Sequence, residues 1–317
     1  MTTHFSSLIQ MTQALPTDTA CREYLELRRW NGVPTCPHCT VVDEKHYKLT
    51  VKGEFKGLYK CRECKERFTV TVGTIFEGSN IGLHKWFLAL YLFSAHKKGV
   101  SSHQLARDLA VTQKTAWFML HRLRMAFTDN TDSPLGGEGT VVETDVTWVG
   151  GKTTNMHKGK RREMRKDRSK GWDNKTQVSG YVERGGNIRF DVIDPHENEK
   201  DLVRKHIDKD SILMTDDANH YRAVGKEYAA HEVVNHSIEE YVREKVWHTN
   251  TIEGAFSLFD RMTVGTYHYI SPKHMQAYCN ELGFRYNSRK ITDKMRFDMA
   301  LVKTSGVKLQ YSTLIAK

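Results

Sequence analysis

The sequence predicts an α+β protein of several domains, and three observations support this prediction. Two CxxC pairs lie in the first quarter of the chain, a helical region follows them, and the remainder alternates between short strands and helices. The chain has 317 residues, enough for two or three domains with their own hydrophobic cores. We therefore expect a small metal-stabilised domain, a helical unit and a mixed-sheet α/β domain, in that order.

The chain carries a net charge of +10, which indicates a polyanionic partner, nucleic acid before a membrane surface. A basic surface without such a partner is the alternative. The first 20 residues have no cationic stretch followed by an apolar core, so they do not resemble a secretory signal. No run of about 18 apolar residues predicts a membrane span. We therefore expect a protein of the reducing cytoplasm, in which cysteines bind metal rather than form disulfides.

Residues 34–76 are the metal-binding candidate, and residues 1–33 before them are predicted to be a helical segment. The sequences "CPHC" and "CREC" each aim two thiolates at one point, and two such pairs suit one tetrahedral zinc ion. Short strands with Gly turns lie between them, so this segment is predicted to be a zinc ribbon. Four reduced cysteines without metal would leave so small a segment without enough apolar mass to fold. The predicted zinc ligands are Cys36, Cys39, Cys61 and Cys64.

Residues 77–127 are predicted to contain a helix-turn-helix that binds DNA. A capped helix begins at Ser101 or Ser102, a turn follows at "VTQ", and a second helix begins at Lys114. In such a unit the second helix can enter the major groove, whereas an ordinary helical hairpin is the alternative. The predicted inner face consists of Leu105, Ala106, Leu109, Trp117, Leu120 and Leu123. The predicted outer face carries His121 and the five residues expected to contact DNA, which are Gln113, Lys114, Thr115, Arg122 and Arg124.

Residues 128–139 are rich in turn formers and are predicted to link this unit to a second half, residues 140–290. The order in this half is three strands, helix, strand, helix, strand, helix, which is that of an RNase H-like domain with a mixed sheet. Residues 291–317 are expected to form a C-terminal extension. A segment dense in Lys and Arg follows the first strand, and it is either a solvated loop or a phosphate contact. The predicted phosphate contacts in it are Lys160, Arg161 and Arg162.

Carboxylates stand where an RNase H-like domain would need them. The strand "VVETDVTWVGG" contains Glu143 and Asp145, although burying an ionised carboxylate without a partner costs several kcal/mol. Asp216 or Asp217 ends the fourth strand, and Glu253 opens a later helix. Three such acids could hold two Mg²⁺ or Mn²⁺ ions for phosphodiester chemistry, which would compensate the charge of Asp145. Glu143 shares the strand face of Asp145. It either supports the metal site or forms an ion pair with a basic side chain.

These motifs resemble those of bacterial insertion-sequence transposases with an N-terminal zinc ribbon, a helix-turn-helix and an RNase H-like catalytic domain of the DDE type. Such proteins are relatives of the eukaryotic Merlin transposases. The resemblance covers the chain from about Cys21 to about Lys290. The motifs that carry it are "CPHC" with "CRECKERFTVTVGTIFE", "ETDVTWVGGK", "TDDANHY" and "HTNTIEGAFSLFDRMTVGTYHYISPKHMQAYCNELGFRYNSRK".

The resemblance implies the roles of the acids. Asp145 and Glu253 match the first and third catalytic residues of the family. Asp216 matches the second, in preference to Asp217, because the family's Asp stands five residues before a Tyr, here Tyr221.

The resemblance also implies an activity. The protein is expected to be a transposase that uses structural zinc and two catalytic Mg²⁺ or Mn²⁺ ions. It would bind the terminal inverted repeats of its element, hydrolyse the phosphodiester bonds at the ends and join the 3′-hydroxyl to target DNA. Because the ends must be paired, we expect a homodimer or larger assembly on DNA, at the bacterial nucleoid. The alternatives are a domesticated regulator that binds DNA without cutting it, and an RNase H-like nuclease without strand transfer.

Two positions bear on whether the copy is fully active, and one more bears on which residue is the third acid. Val146 stands where the family commonly has an acid, and Asp260 stands where it usually has a Lys. Asp260 shares a helix face with Glu253, so it would either repel phosphate or join the metal site, unless the neighbouring Arg261 contacts DNA instead. Some relatives use Asn in the third role, which makes Asn250 the rival of Glu253.

Overall fold

The computed structural model describes residues 4–128, 133–150, 157–159, 161–162, 175–194, 197–217, 221–234 and 247–316. The chain divides into two compact units, one formed by Met1–Phe127 with Lys290–Lys317 and the other by Thr128–Arg289. In the part of the chain that the structure describes, no helix is both long and apolar enough to cross a membrane.

The elements follow the order that the sequence predicts. The helices are α1 (Leu8–Ala14), α2 (Asp18–Trp30), α3 (Leu83–Ala95), α4 (Ser102–Leu109), α5 (Gln113–Ala126), α6 (Glu199–His206), α7 (Tyr221–Val224), α8 (Asn250–Met262), α9 (Met275–Asn287), α10 (Asp293–Lys303) and α11 (Tyr311–Ile315). The strands are β1 (Tyr47–Val51), β2 (Glu54–Lys60), β3 (Arg67–Phe68), β4 (Val141–Gly150), β5 (Lys175–Glu183), β6 (Ile188–Val192), β7 (Ile212–Asp216) and β8 (Ala230–Val234).

Helices α4 and α5 begin at hydroxyl caps. Ser101 accepts a hydrogen bond from the N–H of Gln104, and Thr112 accepts one from the N–H of Thr115. Such a cap supplies a partner to an N–H group that the helix itself leaves unpaired. Ala110 ends α4 in the left-handed conformation with φ of 49°, and three residues therefore connect the two helices. This is the predicted helical pair, with its first helix starting at Ser102.

The C-terminal segment, residues 291–317, is expected as an extension of the chain, and in the structure it belongs to the first unit. Phe297 of α10 packs edge-on against Phe5 and Phe87, with ring centroids 5.5 and 5.6 Å apart. Its neighbour Asp298 accepts a hydrogen bond from Tyr24 and forms an ion pair with Arg28 of α2. A buried aromatic side chain makes extensive apolar contacts. The segment that carries Phe297 is therefore part of the core of the first unit.

The zinc ribbon is a three-stranded antiparallel sheet in the order β1-β2-β3. Its third strand is short, because only Arg67 and Phe68 pair with β2. The chain beyond Phe68 makes turns, in which Val72 N–H donates to Thr69 O and Thr74 N–H to Thr71 O.

The second unit contains a five-stranded mixed sheet in the order β6-β5-β4-β7-β8. The strand β4 is central, antiparallel to β5 and parallel to β7. This order confirms the predicted mixed-sheet domain, with its first strand beside its fourth. One face packs on α8 and α9 through Val178, Val182, Ile252, Phe256 and other apolar residues. The opposite face packs on α6 and α7 through residues such as Val142, Tyr181, Leu202 and Leu213.

Candidate active site and metal centre

The four cysteines of the ribbon lie together. The Sγ atoms of Cys36 and Cys64 are 3.7 Å apart, and those of Cys39 and Cys61 are 3.5 Å apart. All four sulfur atoms lie within 4.8 Å of one another. Zinc–sulfur bonds of about 2.3 Å in a tetrahedron place the sulfur atoms about 3.8 Å apart, so the four side chains fit one zinc ion.

Replacing Cys61 with Ser is expected to release the zinc and unfold the ribbon, because structural zinc supplies folding free energy directly. Metal analysis of the purified variant should give less than about a tenth of the zinc of the wild type. Cys21→Ala is the control, since Cys21 is fully buried in α2 and is not among the four clustered cysteines. Zinc retained by Cys61→Ser would show that these cysteines are not the ligands.

The sheet register places Asp145 and Asp216 side by side. Glu143 on β4 is paired with Met214 on β7, and each Asp lies two residues further along its strand. In parallel strands, residues two apart on each chain project from the same face, so both carboxylates project towards α8. Gly180 is paired with Asp145 on the other side, and a Cβ there would lie only 2.7 Å from Ile252 Cδ1. The glycine therefore lets α8 approach the sheet closely beside Asp145.

The charges near Asp145 act on its pKa. The pKa of Asp145 is raised from 3.8 to about 7, mainly by burial. The Val146 N–H lowers this pKa, and the carboxylates of Asp216, Glu253 and Glu199 contribute to raising it. That N–H donates to Asp145 Oδ1 at 2.7 Å. Crowded carboxylates with a raised pKa are typical of sites that bind a cation or transfer a proton.

Glu253, the predicted third acid, lies in the first turn of α8. The Thr249 hydroxyl donates to Glu253 Oε1 at 2.9 Å, which restricts the direction of that carboxylate. The rival positions Asn250 and Asp260 are both exposed on the same helix. Neither is among the groups that raise the pKa of Asp145.

Asp217 lies at the surface, where it forms an ion pair with Arg222 at 3.2 Å. The structure therefore brings Asp145, Asp216 and Glu253 into one neighbourhood and leaves Asp217 outside it.

The carboxylate oxygens of the acid cluster are more widely spaced than the sulfur atoms of the cysteine cluster. Among the described His, Cys, Asp and Glu side chains, only the four cysteines have all their ligand atoms within 4.8 Å of one another. An open group of carboxylate oxygens suits Mg²⁺ or Mn²⁺, which keep several waters and need few protein ligands. Asp145, Asp216 and Glu253 therefore fit such ions by their chemistry, and their mutual repulsion supplies a reason to bind them.

Three of the predicted DNA contacts lie at the start of α5, where they are at least partly exposed. Gln113 and Lys114 are exposed and Thr115 is half-buried. The Gln113 amide donates to Ser102 Oγ at 2.8 Å, and the Lys114 ammonium lies 4.6 Å from the centre of the Tyr311 ring. This end of the helix is thus a polar surface that the C-terminal α11 borders.

Two arginines predicted to contact DNA instead make contacts inside the first unit. Arg124 is 1% exposed and stacks on Phe93, so its guanidinium does not reach a DNA surface. Arg122 is half-buried, and it donates to the carbonyls of Ile75 at 2.7 Å and of Glu77 and Leu309 at 3.2 Å. The helical period placed both on the outer face, but the segments that cover this face lie far away in the sequence. His121, also expected there, is buried.

The other predicted DNA contacts lie in the second unit. Arg261 is exposed and its Nε donates to the carbonyl of Ser257 at 3.1 Å. Arg162 is exposed and Arg161 is half-buried. Lys160 lies outside the described residues.

One residue whose charge acts on the acids, Glu199, is absent from the sequence-based site. Glu199 opens α6 and accepts a hydrogen bond from the Tyr221 hydroxyl, and the charge of Glu199 raises the pKa of both Asp145 and Tyr221. An acid in the first turn of a helix is common, so no sequence signal distinguishes Glu199.

Comparisons with known proteins agree with this division of the chain. A family model described as a transposase zinc-ribbon domain matches residues 16–67, and one described as an ISXO2-like transposase domain matches residues 134–287. The chain is also similar to an uncharacterized protein in transposable element ISH50 of Halobacterium salinarum. The two are 28% identical over 244 residues, which cover 74% of this chain and 79% of that protein.

Proposed function

The chain belongs to the insertion-sequence transposases, and on that basis we propose that it cuts DNA at the ends of its own element and joins the released 3′-hydroxyl to target DNA. The observation that supports this proposal most strongly is the crowding of carboxylates around Asp145 on the central strand. A site of this kind needs cations to keep all its acids ionised, and phosphodiester cleavage uses such cations.

The chain's own residues divide the work. Asp145, Asp216 and Glu253 would hold two Mg²⁺ or Mn²⁺ ions, which activate the attacking oxygen and stabilise the leaving one when bound. Thr249 orients the carboxylate of Glu253 by its hydrogen bond. Asp145 is half-buried, which limits the screening of its charge by water and strengthens the attraction for a cation.

DNA recognition is assigned to the first unit. The exposed polar residues at the start of α5 are suited to the major groove, where the beginning of a recognition helix meets base edges. Arg161, Arg162 and Arg261 are proposed to contact phosphates near the acids. Since two ends must be cut and joined together, the active form is proposed to be a homodimer or larger assembly on nucleoid DNA.

The variants Lys114→Ala and Arg122→Ala should separate DNA contact from structure. Lys114→Ala is expected to weaken binding to terminal-repeat DNA by about tenfold with little change in the unfolding temperature. Arg122→Ala removes hydrogen bonds to three carbonyls, so it should lower stability by about 1–3 kcal/mol. Fluorescence anisotropy and thermal unfolding measure the two effects. Unchanged DNA binding by Lys114→Ala at several salt concentrations would remove α5 from the interface.

Strand transfer is tested with precut duplexes that carry the element's terminal repeats and a supercoiled target plasmid. The proposal expects a joined product that depends on Mg²⁺ or Mn²⁺. Cutting of intact ends without any joined product would favour an RNase H-like nuclease. End-specific binding without either reaction would favour a regulator. Asp260, which stands where the family usually has Lys, is the feature of this chain that motivates this alternative.

A further inference from the structure

Glu143 is a fully buried carboxylate on β4, two residues before Asp145 on the same face of the sheet. Its Oε1 accepts hydrogen bonds from Arg184 Nε at 2.6 Å and from Thr251 Oγ1 at 2.8 Å. Its Oε2 accepts from the backbone N–H groups of Thr251 and Ile252 at 2.9 and 3.0 Å. Four donors compensate the cost of burying this charge, and they also fix its position.

The carboxylate of Glu143 caps α8 from outside the helix. Thr251 and Ile252 lie in the first turn, where N–H groups have no partner within a helix. The residue at the cap position, Thr249, makes no side-chain cap bond, and its hydroxyl is directed to Glu253 instead. A negative charge at this end is favoured by the helix dipole as well. The strand that carries the first acid thus holds the helix that carries the third.

Arg184 extends this contact to the chain just before α8. Its Nη2 donates to the carbonyl of His248 at 2.6 Å while its Nε binds Glu143. Contact with Gly180 limits how closely α8 can approach the sheet. Ile252 lies so close to Gly180 that a methyl group on Gly180 would collide with it. Hydrogen bonds therefore hold the start of α8 against the sheet, and the contact of Ile252 with Gly180 prevents a closer approach.

We propose that Glu143 is a positioning residue, which holds Glu253 at the place where it can bind a divalent cation together with Asp145 and Asp216. This inference rests on the proposed function for the nature of the site. The contacts that support it join three elements: the central strand, the hairpin after β5 and the first turn of α8. Glu143 would act on the cation through Glu253, without touching it.

The test is a titration of the full-length protein with MnCl₂ in the absence of DNA, followed by thermal unfolding of the second unit. Binding to the folded state raises the unfolding temperature by mass action, so the titration gives the Mn²⁺ concentration for half-maximal stabilisation. Glu143→Gln keeps the size of the side chain but turns one acceptor into a donor that faces other donors. We expect that concentration to rise about tenfold or more. End cleavage should fall and recover in part at high Mn²⁺.

Glu227→Gln is the matched control, because it removes the same charge from an ion pair with Arg204 at the surface of the same unit. It should titrate like the wild type. If Glu143→Gln does so too, the inference is wrong.

Should Glu143→Gln fail to unfold cooperatively, Thr251→Val replaces it, since this change deletes only the hydroxyl bond and keeps the backbone bonds. A smaller rise of about two- to threefold is then expected, and an unchanged titration overturns the proposal. A wild-type protein that cuts no DNA, together with a shifted titration in Glu143→Gln, would contradict the proposed function and leave the positioning role standing.

Discussion

Asp145→Asn is expected to lower cleavage of the element ends by roughly a thousandfold or more, because the central strand then lacks a carboxylate that we propose holds the divalent ions. Affinity for end DNA should stay within about threefold of the wild type, since recognition is assigned to α5 in the other unit. Gel assays of cleavage and anisotropy measurements of binding, made on the same preparation, check both parts. Cleavage retained by Asp145→Asn would exclude this residue from the site.

The same variant should be more stable than the wild type when no Mg²⁺ or Mn²⁺ is present. The folded pKa of Asp145 is about 7 against an ordinary value of 3.8, so folding favours the protonated form. The stability that this group contributes is complete below pH 3.8 and is lost as the pH rises through 7. The change in pKa corresponds to at most about 4 kcal/mol.

Thermal unfolding at pH 6 and pH 8 tests this sign. The advantage of Asp145→Asn should grow from pH 6 to pH 8, and added Mn²⁺ should stabilise the wild type alone. The buffer should contain no chelator, because a chelator would also remove zinc from the ribbon. A wild type that is more stable than the variant at pH 8 without Mn²⁺ would contradict the electrostatic account of the site.

Glu253→Gln is expected to lower cleavage by about a hundredfold or more, whereas Asn250→Ala and Asp260→Ala should change it by no more than about threefold. Glu253 contributes to the charge around Asp145, and the two rivals are exposed and do not. All three residues lie on α8, so the alanine variants control for general damage to that helix. A loss of cleavage in Asn250→Ala or Asp260→Ala, with activity retained by Glu253→Gln, would move the third ligand to that residue.

The sequence predicts most of the fold because its local signals agree with the tertiary structure. The cysteine spacing predicts the ribbon, and the hydroxyl cap at Ser101 marks the start of α4. The second helix is predicted from Lys114 and begins one residue earlier, at Gln113, because Thr112 caps it. The order of strands and helices predicts the mixed sheet, and with it the neighbouring places of Asp145 and Asp216.

What the sequence did not predict depends on contacts between distant segments. Helical periodicity assigns Arg122 to an outer face, yet the carbonyls of Ile75 and Leu309 surround its guanidinium. The role of Arg184 is equally hidden, because a hairpin residue has no local signal for binding a carboxylate on the neighbouring strand. Alternation along β4 places Glu143 beside Asp145, but only the packing of α8 reveals that it caps a helix.

The most direct test of the central claim uses the wild-type protein and a labelled duplex that joins the element's terminal inverted repeat to its flanking DNA. The account predicts a cut at the element end in the presence of Mg²⁺ or Mn²⁺, no cut in their absence, and no cut by Asp145→Asn under any of these conditions. An intact duplex after incubation of the zinc-loaded wild type with either metal, under conditions where it binds the repeat, would contradict it.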